Sequence, residues 1–220
     1  MSLIVFDLDG TLIDSRLDLA ESTNEMLATY AAPALPVDRV AMMVGEGARK
    51  LVEAALTAAG LNPAEPEALD RFRSIYDRRL LIHTKPYQGI ADTVERASRV
   101  APLAVLTNKP DAPSRRLLEA FDLARYFRRV IGGDSAHARK PDPQGLRALM
   151  NEFGASPETT WLVGDSMIDV ETARRAGTKM CVALYGFGHL RGELVLEGTE
   201  ATARTPSDIG AIVTRALHEE

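Results

Sequence analysis

Apolar positions run without a break from Leu3 to Phe6 and then give way to Asp7-Leu8-Asp9-Gly10-Thr11. A short unbroken apolar run closed by a glycine turn predicts a strand buried on both faces, as in a parallel sheet. From Arg16 to about Pro86 the spacing becomes helical. Leu19, Thr23, Met26 and Tyr30 form one stripe with Leu27 beside it, and Leu69, Phe72, Tyr76 and Leu80 form another; Pro33, Pro36, Pro63 and Pro66 separate the two. Gly45-Glu46-Gly47 opens a further helix that runs to about Ala59 and stops at Gly60. No strand is predicted inside this block.

From Gly89 onward strands and helices alternate, the pattern of a parallel sheet clothed by helices. Strands are expected near Leu103–Leu106, Val130–Ile131, Thr160–Val163, Cys181–Leu184 and, weakly, Ala201–Ala203. Asp142 as N-cap and Pro143 at the first helical position predict a helix whose buried stripe is Leu146, Leu149, Met150 and Phe153, ending before Gly154. Thr205, Pro206 and Asp208 resemble a capping box for a last helix with Ile209, Ile212, Val213, Ala216 and Leu217 on one face. The fold class is therefore α/β: a Rossmann-like parallel-sheet core with helices on both faces, residues 1–15 and 86–220, interrupted by an all-helical domain, residues 16–85. Connections near Ser15 and near Thr84–Tyr87 would form its hinge.

Composition narrows what such a fold can do. The 220 residues, 45% of them hydrophobic, suffice for a real core. A net charge of −5 gives no basic footprint for nucleic acid and no cationic face for a membrane. Cys181 is the only cysteine, so no internal disulfide can form, and a reducing cytoplasm is expected. The N-terminus enters a strand at once, without a basic region and cleavable apolar stretch, so export is not expected.

The polar residues after the strands carry the chemistry. Ligands of open parallel sheets bind beyond the carboxyl ends of the strands. There this chain places Asp7 and Asp9, Thr107-Asn108, the Gly132-Gly133-Asp134 turn leading to Lys140-Pro141, and Gly164-Asp165. Alternation along a strand would put Asp7 and Asp9 on one side, where they would repel unless a metal or a basic group lay between them. Together these groups can handle a phosphoryl group: a carboxylate attacks phosphorus, Asp7, Asp9 and Asp165 offer hard oxygens to Mg²⁺, Thr107 and the Asn108 backbone N–H hold phosphate oxygens, and Lys140 neutralises charge. Asp169, in the first helical turn after Asp165, suits a helix dipole as well as a supporting role at the site. His137 and His189 read as loop or surface residues.

Asp7-Leu8-Asp9-Gly10-Thr11, Leu106-Thr107-Asn108, Lys140-Pro141 and Gly164-Asp165-Ser166-Met167-Ile168-Asp169 resemble, in order, the four motifs of the haloacid dehalogenase-like hydrolases. The helical insertion after the first motif resembles the cap of the subgroup that includes phosphoglycolate phosphatase. The resemblance implies Asp7 as nucleophile, Asp9 as general acid and base, and Asp7, Asp9 and Asp165 as ligands of Mg²⁺, with Asp169 behind them, orienting Lys140 or metal-bound water. It implies Gly10, Thr11 and Asn108 at the substrate. Gly45, Glu46 and Arg49 of the cap would join them, with Arg49 or the helix N-terminus available to a carboxylate. The expected activity is hydrolysis of a small phosphorylated metabolite, 2-phosphoglycolate foremost, by a monomer or homodimer. The alternatives are a broad sugar-phosphate or nucleotide phosphatase, a pyrophosphatase, a phosphomutase or, more remotely, a non-catalytic phospho-accepting module.

Overall fold

The computed structural model describes residues 1–192 and 194–218. Its main sheet has six strands in the order β5-β4-β1-β6-β7-β8, every neighbouring pair parallel. These are β1 (Leu3–Phe6), β4 (Leu103–Leu106), β5 (Phe127–Ile131), β6 (Thr160–Gly164), β7 (Lys179–Ala183) and β8 (Ala201–Ala203). Alternate residues feed opposite layers. Ile4 and Phe6 of β1 pack with Val105, Val163 and Cys181 beneath α5 (Ile90–Ser98) and α9 (Pro206–His218), whose Ile90, Val94, Ile209 and Val213 are buried. Leu3 and Val5 face the other way with Leu106, Leu162 and Val182, against α7 (Gln144–Phe153) and α8 (Met167–Ala176). Both faces being covered, the central strands β1, β4 and β6 are buried at every position, which is why no alternation marks them.

The chain leaves β1 for β4 and β5 on one side, with α6 (Asp111–Ala120) between them, and returns to β6 on the other. The carboxyl ends of β1, β4 and β6 thus surround the point where strand order reverses, the position that leaves a crevice for ligands.

Helices α1 (Arg16–Ala28), α2 (Val37–Ala41), α3 (Ala48–Ala58) and α4 (Ala68–Arg79) fill the stretch between β1 and α5. The two chain crossings that flank them pair with each other: β2 (Ile13–Asp14) runs antiparallel to β3 (Lys85–Pro86), with Ile13 opposite Pro86 and Asp14 opposite Lys85. Asp18, fully buried in the first turn of α1, locks this junction by accepting hydrogen bonds from the backbone N–H of His83 and Thr84 and from the Thr84 hydroxyl at 2.7–3.1 Å. Asp18→Ala leaves those donors unpaired inside the protein and is expected to cost on the order of 3 kcal/mol in urea unfolding.

Several expected boundaries move. Strand β5 begins at Phe127, because exposed Arg128 and Arg129 hide its first half from a hydrophobicity pattern; β7 stops at Ala183, leaving Leu184 exposed. Helix α7 starts at Gln144 with Pro143 in the cap position, yet Asp142 still does the capping, its carboxylate accepting from the Gln144 N–H at 2.9 Å. Before α9 the Asp208 carboxylate accepts from the Arg204 and Thr205 N–H groups, each at 2.9 Å. The Ala216 and Leu217 side chains lie outside the described residues. Helix α2, which starts directly after Pro36, had no expectation of its own. Among the described residues no helix is long and apolar enough to cross a membrane.

Candidate active site

Asp7 follows β1 directly, and its N–H donates to the Val163 carbonyl at 2.8 Å, extending the parallel ladder one residue beyond the strand. The chain then turns at Gly10, whose φ of +84° favours glycine; a Cβ there would also sit 2.0 Å from an Asp165 oxygen. The turn brings the ends of β1 and β6 together. Asp165 is held from the far side by the Gly188 N–H, which donates to Oδ2 at 2.7 Å.

Lys140 lies among these carboxylates with a side chain only 2% exposed, its Nζ 2.9 Å from Asp7 Oδ1 and 2.6 Å from Asp169 Oδ1. The other Asp169 oxygen accepts from the backbone N–H and hydroxyl of Ser166, at 3.1 and 2.7 Å. Asp169 thus caps α8 with one oxygen and fixes the lysine with the other. Burial pushes Asp7 up to about 6, against the pull of Lys140, and raises Asp165 well above its ordinary value. Burial alone would make Lys140 lose its proton more readily, but Asp169 and Asp7 outweigh it and hold the ammonium above its ordinary range.

The carboxylates of Asp7, Asp165 and Asp169 each offer an oxygen, all within 4.8 Å of one another. Three buried carboxylates beside one ammonium leave negative charge uncompensated, and a hard divalent cation suits such a set of oxygens.

The Asp9 side chain, expected among the ligands, is outside this cluster. It accepts from the Ser15 hydroxyl at 2.6 Å and from Lys109 Nζ at 3.1 Å to each oxygen. Lys109 also donates to the Tyr76 hydroxyl of α4 at 2.7 Å and lies over that ring, 4.6 Å from its centroid. Burial opposes the Lys109 charge, yet Asp9 and Tyr76 raise its pKa above the ordinary value. Strand alternation does not reach Asp9 because β1 ends at Phe6 and the chain has already begun to turn. The repulsion expected between the two aspartates is answered by two lysines, one for each. The pairing of Lys109, Ser15 and Tyr76 with Asp9 carried no sequence signal beyond the position of Lys109 two residues after Thr107.

These groups floor a cavity of about 620 Å³ between the sheet and the helical block. Asp7, Asp9, Thr107, Asn108 and Asp165 line it from the sheet side, and Leu51, Phe72 and Tyr76 from the helices. The Thr107 hydroxyl accepts from the Lys109 N–H at 3.2 Å. The Asn108 side chain ties the two parts together, donating to the Gly45 carbonyl at 2.8 Å and to the Lys140 carbonyl at 2.9 Å.

The remaining expected substrate contacts fall elsewhere. Gly45 lines the cavity, but Glu46 is exposed and paired with Arg191, and Arg49 is exposed and absent from the cavity wall. The inward face of α3 is Leu51, Val52, Ala55 and Leu56, and Arg49, at the edge of that stripe, is exposed. Gly10 packs against Asp165, and buried Thr11 gives its carbonyl to the Tyr185 hydroxyl at 2.8 Å; neither lines the cavity.

Residues 4–183 match the family model of the haloacid dehalogenase-like hydrolases. The chain belongs to that family. Phosphoglycolate phosphatase 1 of Pseudomonas aeruginosa is 40% identical over 196 residues, 86% of this chain and 71% of the relative. The phosphoglycolate phosphatase of Aquifex aeolicus is 34% identical over the full length of both chains, 220 residues. Among solved structures, one described as a predicted phosphoglycolate phosphatase from Haemophilus somnus superposes with a TM-score of 0.90 at 30% identity, covering 96% of this chain and 97% of the other. The protein is an enzyme, a phosphoric monoester hydrolase, and the relatives it matches are named phosphatases.

Proposed function

We propose that the chain is a Mg²⁺-dependent phosphatase that converts 2-phosphoglycolate to glycolate and phosphate through an aspartyl phosphate on Asp7. The observation that carries this reading is Lys140 buried between Asp7 and Asp169, behind the Asp7 and Asp165 carboxylates that line the cavity. An Asp7 oxygen attacks phosphorus, the ester P–O bond breaks, and the leaving alkoxide takes a proton from Asp9. Water then attacks the aspartyl phosphate and gives its proton to Asp9, releasing phosphate and regenerating Asp7. Lys140 neutralises Asp7 while the phosphoryl group approaches, and Thr107 with the Asn108 N–H holds the phosphoryl oxygens. Mg²⁺ would be held by Asp7 and Asp165 with Asp169 adjoining, and supplies charge that lets two anions meet.

Residues 16–85 act in this reading as a cap domain over a core of residues 1–15 and 86–220, hinged at the β2–β3 ribbon. A cap that closes over a cavity of this size excludes bulk water and admits small esters in preference to large ones. The single, buried thiol of Cys181 suits the cytoplasm. The test is phosphate release with Mg²⁺ across small phosphorylated metabolites. The highest kcat/KM is expected for 2-phosphoglycolate, and a clear preference for a sugar phosphate, a nucleotide or pyrophosphate would displace it.

Metal binding has a pH signature of its own. With its pKa raised from 3.8 to about 6, Asp7 contributes stability that is full below about pH 4 and lost as pH rises through about 6. Mg²⁺ needs the ionised carboxylates, so below that range it must displace protons. The rise in Tm on adding Mg²⁺ is therefore expected to be larger at pH 7.5 than at pH 5, and an increment that ignores pH would contradict the site.

A further inference from the structure

A substrate carrying both a phosphoryl group and a carboxylate is well served by a second cation, separate from the one at the nucleophile. Lys140 is committed to Asp7 and Asp169, and Lys109 to Asp9 and Tyr76. Of the arginines on the cavity wall, Arg73 is paired with Asp70 at 3.4 Å. Arg139 is different. Among the described residues no carboxylate lies within ion-pair distance of it, and its hydrogen bond is to a backbone carbonyl, Nε donating to Gly133 at 2.7 Å.

We propose that Arg139 is the specificity-determining residue that receives the substrate carboxylate, an assignment that rests on the 2-phosphoglycolate reading above. The Gly133 carbonyl fixes the guanidinium at Nε and leaves the two terminal nitrogens as a fork, the geometry that matches a carboxylate with two parallel hydrogen bonds. Nη1 stands beside Gly47 on the cavity wall: a Cβ at Gly47 would lie 3.1 Å from Nη1 and 3.1 Å from the Asn108 carbonyl. A side chain at Gly47 would thus crowd both Arg139 and the Thr107-Asn108 loop, which the reading above assigns to the phosphoryl group. Consecutive residues then serve the two ends of one small substrate, Lys140 at the nucleophile and Arg139 at the carboxylate. Leu51, Phe72 and Phe187, elsewhere on the wall, offer a carboxylate nothing.

The test compares 2-phosphoglycolate with 2-hydroxyethyl phosphate, which replaces the carboxylate by a hydroxymethyl group, on the full chain with Mg²⁺. Arg139→Met is expected to lower the ratio of their kcat/KM values roughly 30- to 100-fold, through KM for 2-phosphoglycolate more than through kcat. Arg139→Lys recovers part of that ratio because the charge remains while the fork is lost, and Arg73→Met leaves the ratio unchanged. An equal loss on both esters, no change on either, or the selectivity loss appearing in Arg73→Met would each overturn the assignment. If the parent enzyme already fails to prefer 2-phosphoglycolate, the substrate reading fails and takes the assignment with it. Preference in the parent with an unchanged ratio in Arg139→Met removes the assignment alone.

Discussion

Asp7→Asn is expected to lower phosphate release by a factor on the order of 10⁴ or more while leaving the protein at least as stable as its parent. The amide has the size of the carboxylate and its oxygen can still accept from Lys140, so the packing at the end of β1 is preserved. What disappears is the nucleophile. The stability expectation follows from electrostatics: Asp7 resists ionisation up to about pH 6 because burial penalises its charge, so a neutral isostere removes a cost at neutral pH. The check is paired, turnover on 2-phosphoglycolate with Mg²⁺ and urea unfolding without it, both at pH 7.5. Loss of both together would mean that Asp7 is a structural residue, and turnover within tenfold of the parent would remove it as nucleophile.

Lys140→Met should lose both properties. Its ammonium is what makes a cluster of Asp7, Asp165 and Asp169 tolerable in the interior, and methionine fills the space without the charge. Breaking a buried pair in this way costs about 3–5 kcal/mol, and removing a preorganised positive charge from the phosphoryl site costs on the order of 10²–10³ in kcat. The two losses respond differently to conditions. Lowering the pH from 8 to 5 protonates the raised carboxyls and is expected to restore much of the stability, as is the double change Lys140→Met with Asp169→Asn; neither restores turnover. A Lys140→Met protein as stable as the parent at pH 8 would contradict the charge balance drawn here.

Strands β1, β4 and β6, and the polar residue that follows each, are legible in the sequence because a strand buried on both faces is a solid apolar block whose end is abrupt. The long helices are legible from their stripes. The β2–β3 ribbon is not: two residues carry no period, and their partners lie about seventy positions apart. Which lysine serves which aspartate was hidden for a related reason. The direction of Asp9 is decided by a turn starting at Leu8, and its partner Lys109 arrives from another loop, with Tyr76 of α4 completing the contact. Arg49 was not decided by pattern: three residues before Val52 and seven before Leu56, it stands at the edge of the buried stripe of α3, and only the structure shows it exposed and off the cavity wall.

The ribbon that joins Asp14 to Lys85 sets those two Cα atoms about 5 Å apart, the spacing of antiparallel partners. A tight hairpin turn could span that gap, so the long detour between them is, topologically, an ornament on a finished loop. Evolution can therefore lengthen, exchange or delete it without re-registering any of the six parallel strands, and what the enzyme accepts can drift while how it breaks the bond stays put.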